Sequence, residues 1–406
     1  MQRKKVLIIP SWYPNQEQIA LGTFYREQAQ ILEKDFDIRI LFGIGKPESR
    51  TKILYNLAKY FIFPFDLIEW KNNYLLAPPE AFAFNYKIDY LLSEGFRLKV
   101  LVKSYIRAYE EIINQGFLPD IIHGQSTLYG GIVASIIGNK YKIPVVITEH
   151  QHLLFNIYNE FRFNEFKKAL ETVNKVAVVS QHQARMILMN DINCNPIVVG
   201  NLVNENKFTI NNIEKADNKL KILTVAYSSY IKDTKTFFKA IAELVNMGIK
   251  DIQVTIINPS VHPQDQEIYK SYAKELNVID FCEWVQGIAL DDMPSYYQKC
   301  DVFVSTAIAE TFGLSICEAM FCGKPVVATS NGGIDDILTE DNGIKVNLRD
   351  HKGIADAILI IKNNPGNFSP EKIRQSVLNK FGTRAFTEKM VHIYNQTIDE
   401  YSHNLL

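Results

Sequence analysis

Short apolar runs rich in β-branched residues alternate along the chain with longer segments whose apolar residues recur at helical spacing. This alternation is typical of βαβ units, in which helices cover a buried parallel sheet. In the first half it predicts helices over Thr23–Glu33 and Gly130–Asn139. The predicted strands of that half are Lys5–Ile9, Asp37–Phe42, Ile121–His123, Pro144–Thr148 and Lys175–Val179.

The same pattern restarts near residue 200. The strands predicted there are Lys221–Val225, Gln253–Ile257, Phe281–Glu283, Val302–Ser305 and Pro325–Ala328, and the predicted helices lie near 234–247, 265–276, 292–299 and 314–322. Two doubly wound α/β halves of similar size follow from this repetition. Because ligands bind such sheets at the carboxyl ends of their strands, facing halves would form a cleft between two domains.

Two segments interrupt the alternation. Residues 47–95 are irregular and rich in aromatic residues. We interpret them as a packed insertion with its own small core, with contact to an acceptor or a membrane surface as the alternative. A helix near Arg384–His403 is too long for a simple tail, so we expect it to pack on the first domain. The predicted domains are therefore 1–203 with about 384–406, and 204–383.

Composition and charge narrow the class of protein. Of 406 residues 47% are hydrophobic and 22% charged, which excludes a wholly disordered chain. The net charge of −1 argues against a dedicated nucleic-acid binder. Residues 1–203 carry 23 basic and 19 acidic side chains (net +4), and residues 204–406 carry 21 and 26 (net −5). The two halves are therefore expected to meet different partners.

Cysteine usage and apolar run lengths predict a cytoplasmic protein. The five cysteines are odd in number and form no CxxC pair, which argues against a disulfide framework or a zinc ribbon. The apolar run Val6–Ile9 stops at Pro10, too early for a secretory leader, and no later run has the length of a membrane span. The expected location is the cytoplasm, with peripheral contact at the inner membrane.

The window 302–333 contains most of the candidate ligand-binding residues. A predicted strand ends at Ser305, a loop carries Glu310 and Gly313, and a predicted helix then begins near Leu314. Glycine permits close approach of a ligand to the backbone, and the N–H groups of the first helical turn attract phosphate. One turn further on, Glu318 could accept two hydrogen bonds from a vicinal diol such as a ribose.

These residues resemble a known family. The segment Glu310–Met320 with Cys322–Ala328 behind it looks like the E-x7-E signature of family-4 retaining glycosyltransferases, which have the GT-B fold of two Rossmann-like domains. The likeness extends over most of the chain except 47–95. Its other landmarks are Pro10–Pro14, Gly22–Ala29, Asp120–His123, Pro144–His150 and Gly200–Phe208.

The resemblance implies a nucleotide-sugar donor, of UDP or GDP type, held by the second domain. Glu318 would bind its ribose and Glu310 the hydroxyls of the transferred sugar. The Gly313, Leu314 and Ser315 amides would contact sugar and phosphate, and Lys232 stands where the family has a diphosphate-binding lysine. Positive charge there would stabilise a leaving group that gains negative charge.

The first domain would then hold the acceptor. Gly22 would let its loop approach the donor phosphate or the acceptor. His150 is expected near the reacting centre, where an imidazole can hydrogen-bond sugar or acceptor. His123 and Glu149 are candidates for the acceptor side, although a structural role is an alternative for His123.

Two positions depart from the family pattern. Many members carry an arginine five residues before the lysine, where this chain has Tyr227. We expect Tyr227 or Ser228 to donate a hydrogen bond to the donor, which is weaker than a charged contact. Asn258-Pro259-Ser260 replaces a glycine-rich turn that lies beside the base in relatives, so the base is left open.

The expected reaction is retaining, metal-independent transfer with no cofactor. The resemblance favours substitution on one face of the sugar, with the leaving phosphate oxygen helping to deprotonate the acceptor, so no protein nucleophile is assigned. The expected acceptor is a glycan or lipid-linked glycan in surface polysaccharide synthesis, and no nucleic acid is expected as a partner. The alternatives are a sugar-nucleotide epimerase or a phosphorylase-like enzyme on a related scaffold, and a non-catalytic two-lobed sugar-binding protein.

Overall fold

Residues 3–15, 21–47, 68–71, 79–88, 93–153, 155, 158–211, 217–226, 230–258 and 264–403 are described by the computed structural model of the chain. The chain separates into two units. The first contains residues 1–179, 184–199 and 387–406, and the second contains residues 180–183 and 200–386. The main crossing between units therefore falls at 199/200, a few residues before the boundary expected after Val203.

The first unit is built on an eight-stranded sheet of order β3-β4-β2-β1-β5-β6-β7-β8. β3 runs antiparallel to β4, and the other described pairs are parallel. Val6, Leu7, Ile8 and Ile9 of β1 are at most 1% exposed, because both faces of this central strand are covered. The strands are β1 (Lys5–Pro10), β2 (Asp37–Pro47), β3 (Ile68–Lys71), β4 (Glu80–Ile88), β5 (Ile121–Gln125), β6 (Val145–Glu149), β7 (Lys175–Val178) and β8 (Pro196–Val198).

The second unit is built on a six-stranded parallel sheet of order β11-β10-β9-β12-β13-β14. Its strands are β9 (Leu220–Val225), β10 (Ile252–Asn258), β11 (Cys282–Gln286), β12 (Val302–Ser305), β13 (Val326–Thr329) and β14 (Gly343–Val346). In order of sequence this arrangement is 3-2-1-4-5-6, the doubly wound order of dinucleotide-binding folds. The strand order reverses between β9 and β12, and ligands bind beyond the carboxyl ends of the strands at such a point.

Helices follow most strands, as the alternating pattern predicts. In the first half of the chain they are α1 (Thr23–Leu32), α2 (Glu94–Asn114), α3 (Ile132–Tyr141), α4 (Glu160–Thr172) and α5 (Gln181–Met189). In the second half they are α6 (Thr234–Asn246), α7 (Gln264–Glu275), α8 (Met293–Lys299), α9 (Leu314–Phe321), α10 (His351–Asn363), α11 (Pro370–Phe381) and α12 (Thr383–His403). The α/β class predicted from the sequence is confirmed by the two parallel sheets with their helices.

Part of the aromatic-rich segment 47–95 completes the first sheet. Phe84 of β4 is fully buried, and its ring meets Tyr105 of α2 edge-on at a centroid distance of 4.9 Å. Both side chains belong to the cluster that also contains Leu7 and Leu41 of the central strands. The expectation of a separate small core is therefore wrong for β4, whose Phe82, Phe84 and Tyr86 recur at the period of a strand. The aromatic run 60–65 lies outside the described residues.

The final helix joins the second unit to the first. At its start, Glu205 Oε2 accepts hydrogen bonds from the backbone N–H and the hydroxyl of Thr383, at 2.9 and 2.6 Å. Residues from 387 onward belong to the first unit. There Tyr394 is fully buried, and its ring centre lies 5.2 Å from that of Phe36. The Tyr394 hydroxyl lies 2.5 Å from the Nδ1 atom of His123.

All five cysteines are free thiols. None of the helices in the described part of the chain is long and apolar enough to cross a membrane.

Candidate active site

Two loops of the second unit meet where its strand order reverses. One loop follows β9 and forms a short 3-10 turn over 230–232, which carries Lys232. The other follows β12 and carries Glu310. Because both loops leave the carboxyl ends of adjacent strands, they lie at the edge where doubly wound sheets bind ligands.

Lys232 and Glu310 form an ion pair at this point. The Lys232 Nζ atom lies 2.5 Å from Glu310 Oε1, and the two side chains are 23% and 15% exposed. The Thr306 hydroxyl donates to the carbonyl oxygen of Lys232 at 2.9 Å, and the Ile308 N–H donates to that of Ile231 at 2.7 Å. The sequence named both charged residues without predicting their direct contact.

The backbone of Glu310 is held by a glycine pair. Glu310 forms an isolated parallel bridge with Gly332. A Cβ atom on Gly333 would lie 2.1 Å from the Glu310 carbonyl oxygen, far inside van der Waals contact. A Cβ atom on Gly332, whose φ is +87°, would lie 2.3 Å from Nδ1 of His182. The segment after β13 therefore packs tightly on the loop that presents the Glu310 carboxylate.

Helix α9 begins at the same loop. Its N-cap, Gly313, has φ +99° and ψ 54°, a left-handed conformation that glycine adopts with least strain. No side chain caps this helix end. The first N–H groups of a helix have no partner inside the helix and point outward, which favours anions. Leu314 and Ser315 occupy this first turn, as the sequence predicts.

Glu318 lies one turn further along α9 and is half-buried. The hydroxyl of Tyr297, on α8, donates a hydrogen bond to Glu318 Oε2 at 2.8 Å. Sequence reasoning missed Tyr297. The pair Tyr296-Tyr297 lies within α8, and the only local signal for the buried member is the helical spacing of Tyr297 from Met293 and Cys300.

In the first unit, His150 is half-buried behind aromatic rings. Phe24 and Tyr25 of α1 lie 5.3 and 5.1 Å from its ring centre. Its Nε2 atom lies 2.6 Å from Gln125 Oε1, and the Gln125 amide donates to Gln28 Oε1 at 3.3 Å. Because an amide oxygen can only accept, this contact assigns the proton of a neutral ring to Nε2.

Gly22 is the N-cap residue of α1 and has φ +73°. A Cβ atom there would lie 2.8 Å from the carbonyl oxygen of Trp12. Both the left-handed backbone and this close approach to the loop after β1 require glycine.

Two other predicted residues of this unit lie in its interior. His123 is 1% exposed, with Nδ1 next to the Tyr394 hydroxyl and Nε2 2.8 Å from Thr148 Oγ1. Burial, aided by the nearby His150, lowers the pKa of His123 to about 3. The acceptor-side role expected for His123 is replaced by the structural alternative, because both ring nitrogens are engaged in the core.

Glu149 is also corrected to a structural role. Its carboxylate is fully buried and accepts from the backbone N–H groups of Thr127, His150 and Gln151, at 2.8, 2.8 and 2.7 Å. Burial raises the pKa of Glu149, while these hydrogen bonds act in the opposite direction. The carboxylate therefore holds together the turns that follow β5 and β6, and offers no surface to an acceptor.

The hydrogen bond expected from Tyr227 or Ser228 and the turn expected beside the base involve residues near the second sheet. Of these, Tyr227, Ser228, Pro259 and Ser260 lie outside the described residues. Asn258 ends β10 and is buried. Among the described residues, no three histidine, cysteine, aspartate or glutamate side chains are grouped so that they could hold a metal ion.

Comparison with known proteins identifies relatives for both halves of the chain. Residues 205–379 match the family model of group 1 glycosyl transferases, and residues 77–206 match that of glycosyltransferase family 4. An uncharacterized glycosyltransferase of Methanocaldococcus jannaschii is 24% identical over 66% of this chain and 72% of its own length. Sucrose-phosphate synthase of Spinacia oleracea is 44% identical over 17% of this chain, a match that spans 7% of that longer protein.

Solved structures share the whole fold. Sucrose-phosphate synthase from Thermosynechococcus elongatus superposes with a TM-score of 0.72 at 18% identity, over 98% of this chain and 100% of that one. HepE of Anabaena, solved in complex with UDP and glucose, gives 0.70 at 14% identity, over 97% and 100%. At these identities the likeness establishes the fold and leaves substrates open.

Proposed function

Because this chain belongs to the family-4 glycosyltransferases and has their GT-B fold, we propose that it moves a sugar from a nucleotide-sugar donor to a glycan or lipid-linked glycan. We propose further that the transfer retains the anomeric configuration and needs no metal ion or cofactor. The observation that carries this proposal is the Lys232–Glu310 pair beside the uncapped N-terminus of α9, at the point where the strand order of the second sheet reverses.

Each group at this edge suits one part of a nucleotide sugar. The N–H groups of Leu314 and Ser315 and the Lys232 ammonium are donors for the diphosphate. Glu310 is an acceptor for sugar hydroxyls, and Glu318 an acceptor for the ribose. In this proposal the diphosphate takes the place of Glu310 as the partner of Lys232, and the released Glu310 carboxylate turns to the sugar.

In the proposed step, the bond from the anomeric carbon to the diphosphate oxygen breaks while the acceptor hydroxyl oxygen bonds to that carbon on the same face. The acceptor proton passes to the departing phosphate oxygen. The products are the glycoside and the protonated nucleoside diphosphate, so atoms and charge balance without a protein nucleophile. Lys232 and the α9 N–H groups stabilise the negative charge that develops on the leaving group.

The binding part of this proposal is tested with a panel of UDP-, GDP- and ADP-sugars, scored by thermal stabilisation and by release of free sugar. A ligand that binds the folded protein raises Tm in proportion to the logarithm of its concentration over its Kd, so the true donor class should stand out. UDP-glucose is the first compound to try, because HepE is a structural relative solved with UDP and glucose.

Glu318→Ala should remove most of that stabilisation, because the ribose loses its acceptor. Glu340→Ala, which removes an exposed glutamate of the same unit, is the matched control and should keep it. If no sugar nucleotide stabilises the wild-type protein, or if Glu318→Ala keeps the full shift, the donor assignment fails.

We also propose that the acceptor is presented at a membrane surface. Lys99, Lys103 and Arg107 recur every fourth residue along α2 and are all exposed, so they form one basic stripe of the first unit. Binding to anionic vesicles should then weaken steeply as salt is raised, and neutral vesicles should not bind. Binding that is indifferent to salt, or equal for both vesicle types, contradicts this proposal.

A further inference from the structure

A buried tyrosine contacts Glu318 and has no role in the proposed reaction. Tyr297, on α8, is fully buried, yet its hydroxyl reaches the Glu318 carboxylate and donates to Oε2 at 2.8 Å. A hydrogen bond from a hydroxyl to an ionised carboxylate is among the stronger kinds in proteins. This contact therefore restricts the orientation of the carboxylate of Glu318.

The tyrosine ring is itself held in place. Phe208 and Phe303 lie edge-on to it, with centroid distances of 6.0 and 5.6 Å. Phe303 belongs to β12, the strand whose loop carries Glu310. Because close-packed rings of this kind have little freedom to rotate, the position of the Tyr297 hydroxyl is set by the core of the second unit.

Packing alone does not require a hydroxyl at this position. A phenylalanine would fill almost the same volume, whereas a buried tyrosine must find a partner for its hydroxyl. Here the partner is the side chain to which the proposed function gives the ribose. The hydroxyl thus connects the rigid interior of the unit to one oxygen of a half-buried carboxylate.

We propose that Tyr297 is a positioning residue that orients the Glu318 carboxylate toward the ribose hydroxyls, and so gives the enzyme its preference for ribonucleotides over deoxyribonucleotides. This inference rests on the proposed function, because it takes Glu318 to be the ribose acceptor. Tyr297 acts through Glu318 and touches neither the sugar nor the acceptor.

The test is Tyr297→Phe, assayed by calorimetric titration with UDP and with 2′,3′-dideoxy-UDP, or with the matching guanine or adenine pair if the panel selects that base. The variant should bind the ribonucleotide about tenfold more weakly and the dideoxynucleotide unchanged, so the ratio of the two affinities falls by about tenfold. With the donor sugar nucleotide, KM should rise while kcat changes by no more than about twofold.

Two further variants separate positioning from a general loss of stability. Tyr394→Phe removes another buried tyrosine hydroxyl with a hydrogen-bond partner, in the other unit, and should leave the affinity ratio at its wild-type value. In a Glu318→Ala background, Tyr297→Phe should weaken nucleotide binding no further, because the group it positions is gone.

An unchanged ratio in Tyr297→Phe overturns the inference, and so does an equal loss for both nucleotides. The proposed function can survive either result, provided that the wild-type protein binds the ribonucleotide. If the wild-type protein binds no nucleoside diphosphate, the proposed function is wrong, and the inference about Tyr297 is wrong with it.

Discussion

Lys232 and Glu310 were each assigned a role from the sequence, but only the structure shows that their side chains are in contact. Their ion pair is mostly shielded from solvent, with side chains 23% and 15% exposed. Because a diphosphate and Glu310 would compete for the same ammonium, the Glu310 carboxylate should oppose nucleotide binding while it favours the reaction. From this ion pair we predict that removing the Glu310 charge affects nucleotide binding and turnover in opposite directions.

We expect Glu310→Gln to lower turnover by about 100-fold while nucleoside diphosphate binds at least as tightly as it does to wild type. The amide keeps the size of the side chain but removes the charge that competes for Lys232. Steady-state kinetics and calorimetric titration with the nucleoside diphosphate measure the two effects. Lys232→Met is the opposite control and should weaken nucleotide binding by about tenfold or more. Equal losses of turnover and affinity in Glu310→Gln would contradict this division of roles.

His123 and Glu149 show how local sequence can misplace a residue. Both stand near the end of a strand, where functional side chains of α/β proteins often lie, and both instead satisfy interior hydrogen bonds. No property of the local sequence separates a strand-end residue that points into the core from one that points out. Its direction depends on the turn that follows the strand and on the neighbours that this turn meets.

At the scale of elements, the Glu310 loop depends on the segment that follows β13. The bridge between Glu310 and Gly332 and the close approach of Gly333 fix where this loop lies. In the sequence, Asn331-Gly332-Gly333 follows the predicted strand Pro325–Ala328, and in the fold this segment supports the loop of Glu310.

We expect Gly333→Ala to destabilise the protein by about 1–3 kcal/mol, because its Cβ would overlap a backbone carbonyl that can move only with the whole loop. Turnover should fall with it, since that carbonyl belongs to Glu310. Gly366→Ala is the matched control, because a Cβ there has no heavy atom within 4 Å, and it should stay within about 0.5 kcal/mol of wild type. Thermal unfolding and turnover of the two variants test this prediction. Indistinguishable results for Gly333→Ala and Gly366→Ala would contradict the role of Gly333 in supporting the Glu310 loop.

At the scale of the whole molecule, the last helix of the chain completes the interior of the first unit. On this helix, Tyr394 contacts His123 of the first unit, although the two residues are 271 positions apart in the sequence. The Lys4–Asp399 and Lys175–Glu400 ion pairs, at 3.3 and 2.8 Å, lie on the exposed side of the same helix. Such exposed pairs contribute little, so the buried contact is the one that should govern stability.

The burial of His123 predicts a pH dependence of stability. The pKa of this histidine is about 3 in the folded protein and about 6.5 when unfolded, so between these values the unfolded chain binds one more proton. Stability should therefore be unaffected by His123 above about pH 6.5 and fall as pH drops below it. By about pH 5 the loss should reach about 2 kcal/mol.

Urea titration of wild type and of His123→Gln at about pH 7 and about pH 5 checks this prediction. The variant should be less stable at neutral pH but should lose less stability on acidification, because glutamine takes up no proton. The same acid-dependent loss in both proteins would mean that His123 becomes protonated in the folded state as well.

The sequence by itself determined the class of fold and most of the strands, and it named the candidate residues of the second unit. Strand and helix periods are local properties, and the window 302–333 brings a glycine, a helix start and two glutamates together within a few turns of chain. Its likeness to a known family then assigned roles to residues such as Lys232 that lie farther away in sequence.

Tertiary structure alone decided that part of the 47–95 segment joins the first sheet, that His123 and Glu149 are interior, that Lys232 pairs with Glu310 and that Tyr297 holds Glu318. The physical reason is the same in each case. Burial and hydrogen bonding depend on which elements lie side by side, and contacts between residues 21, 78 or 271 positions apart leave no periodic signal in the chain.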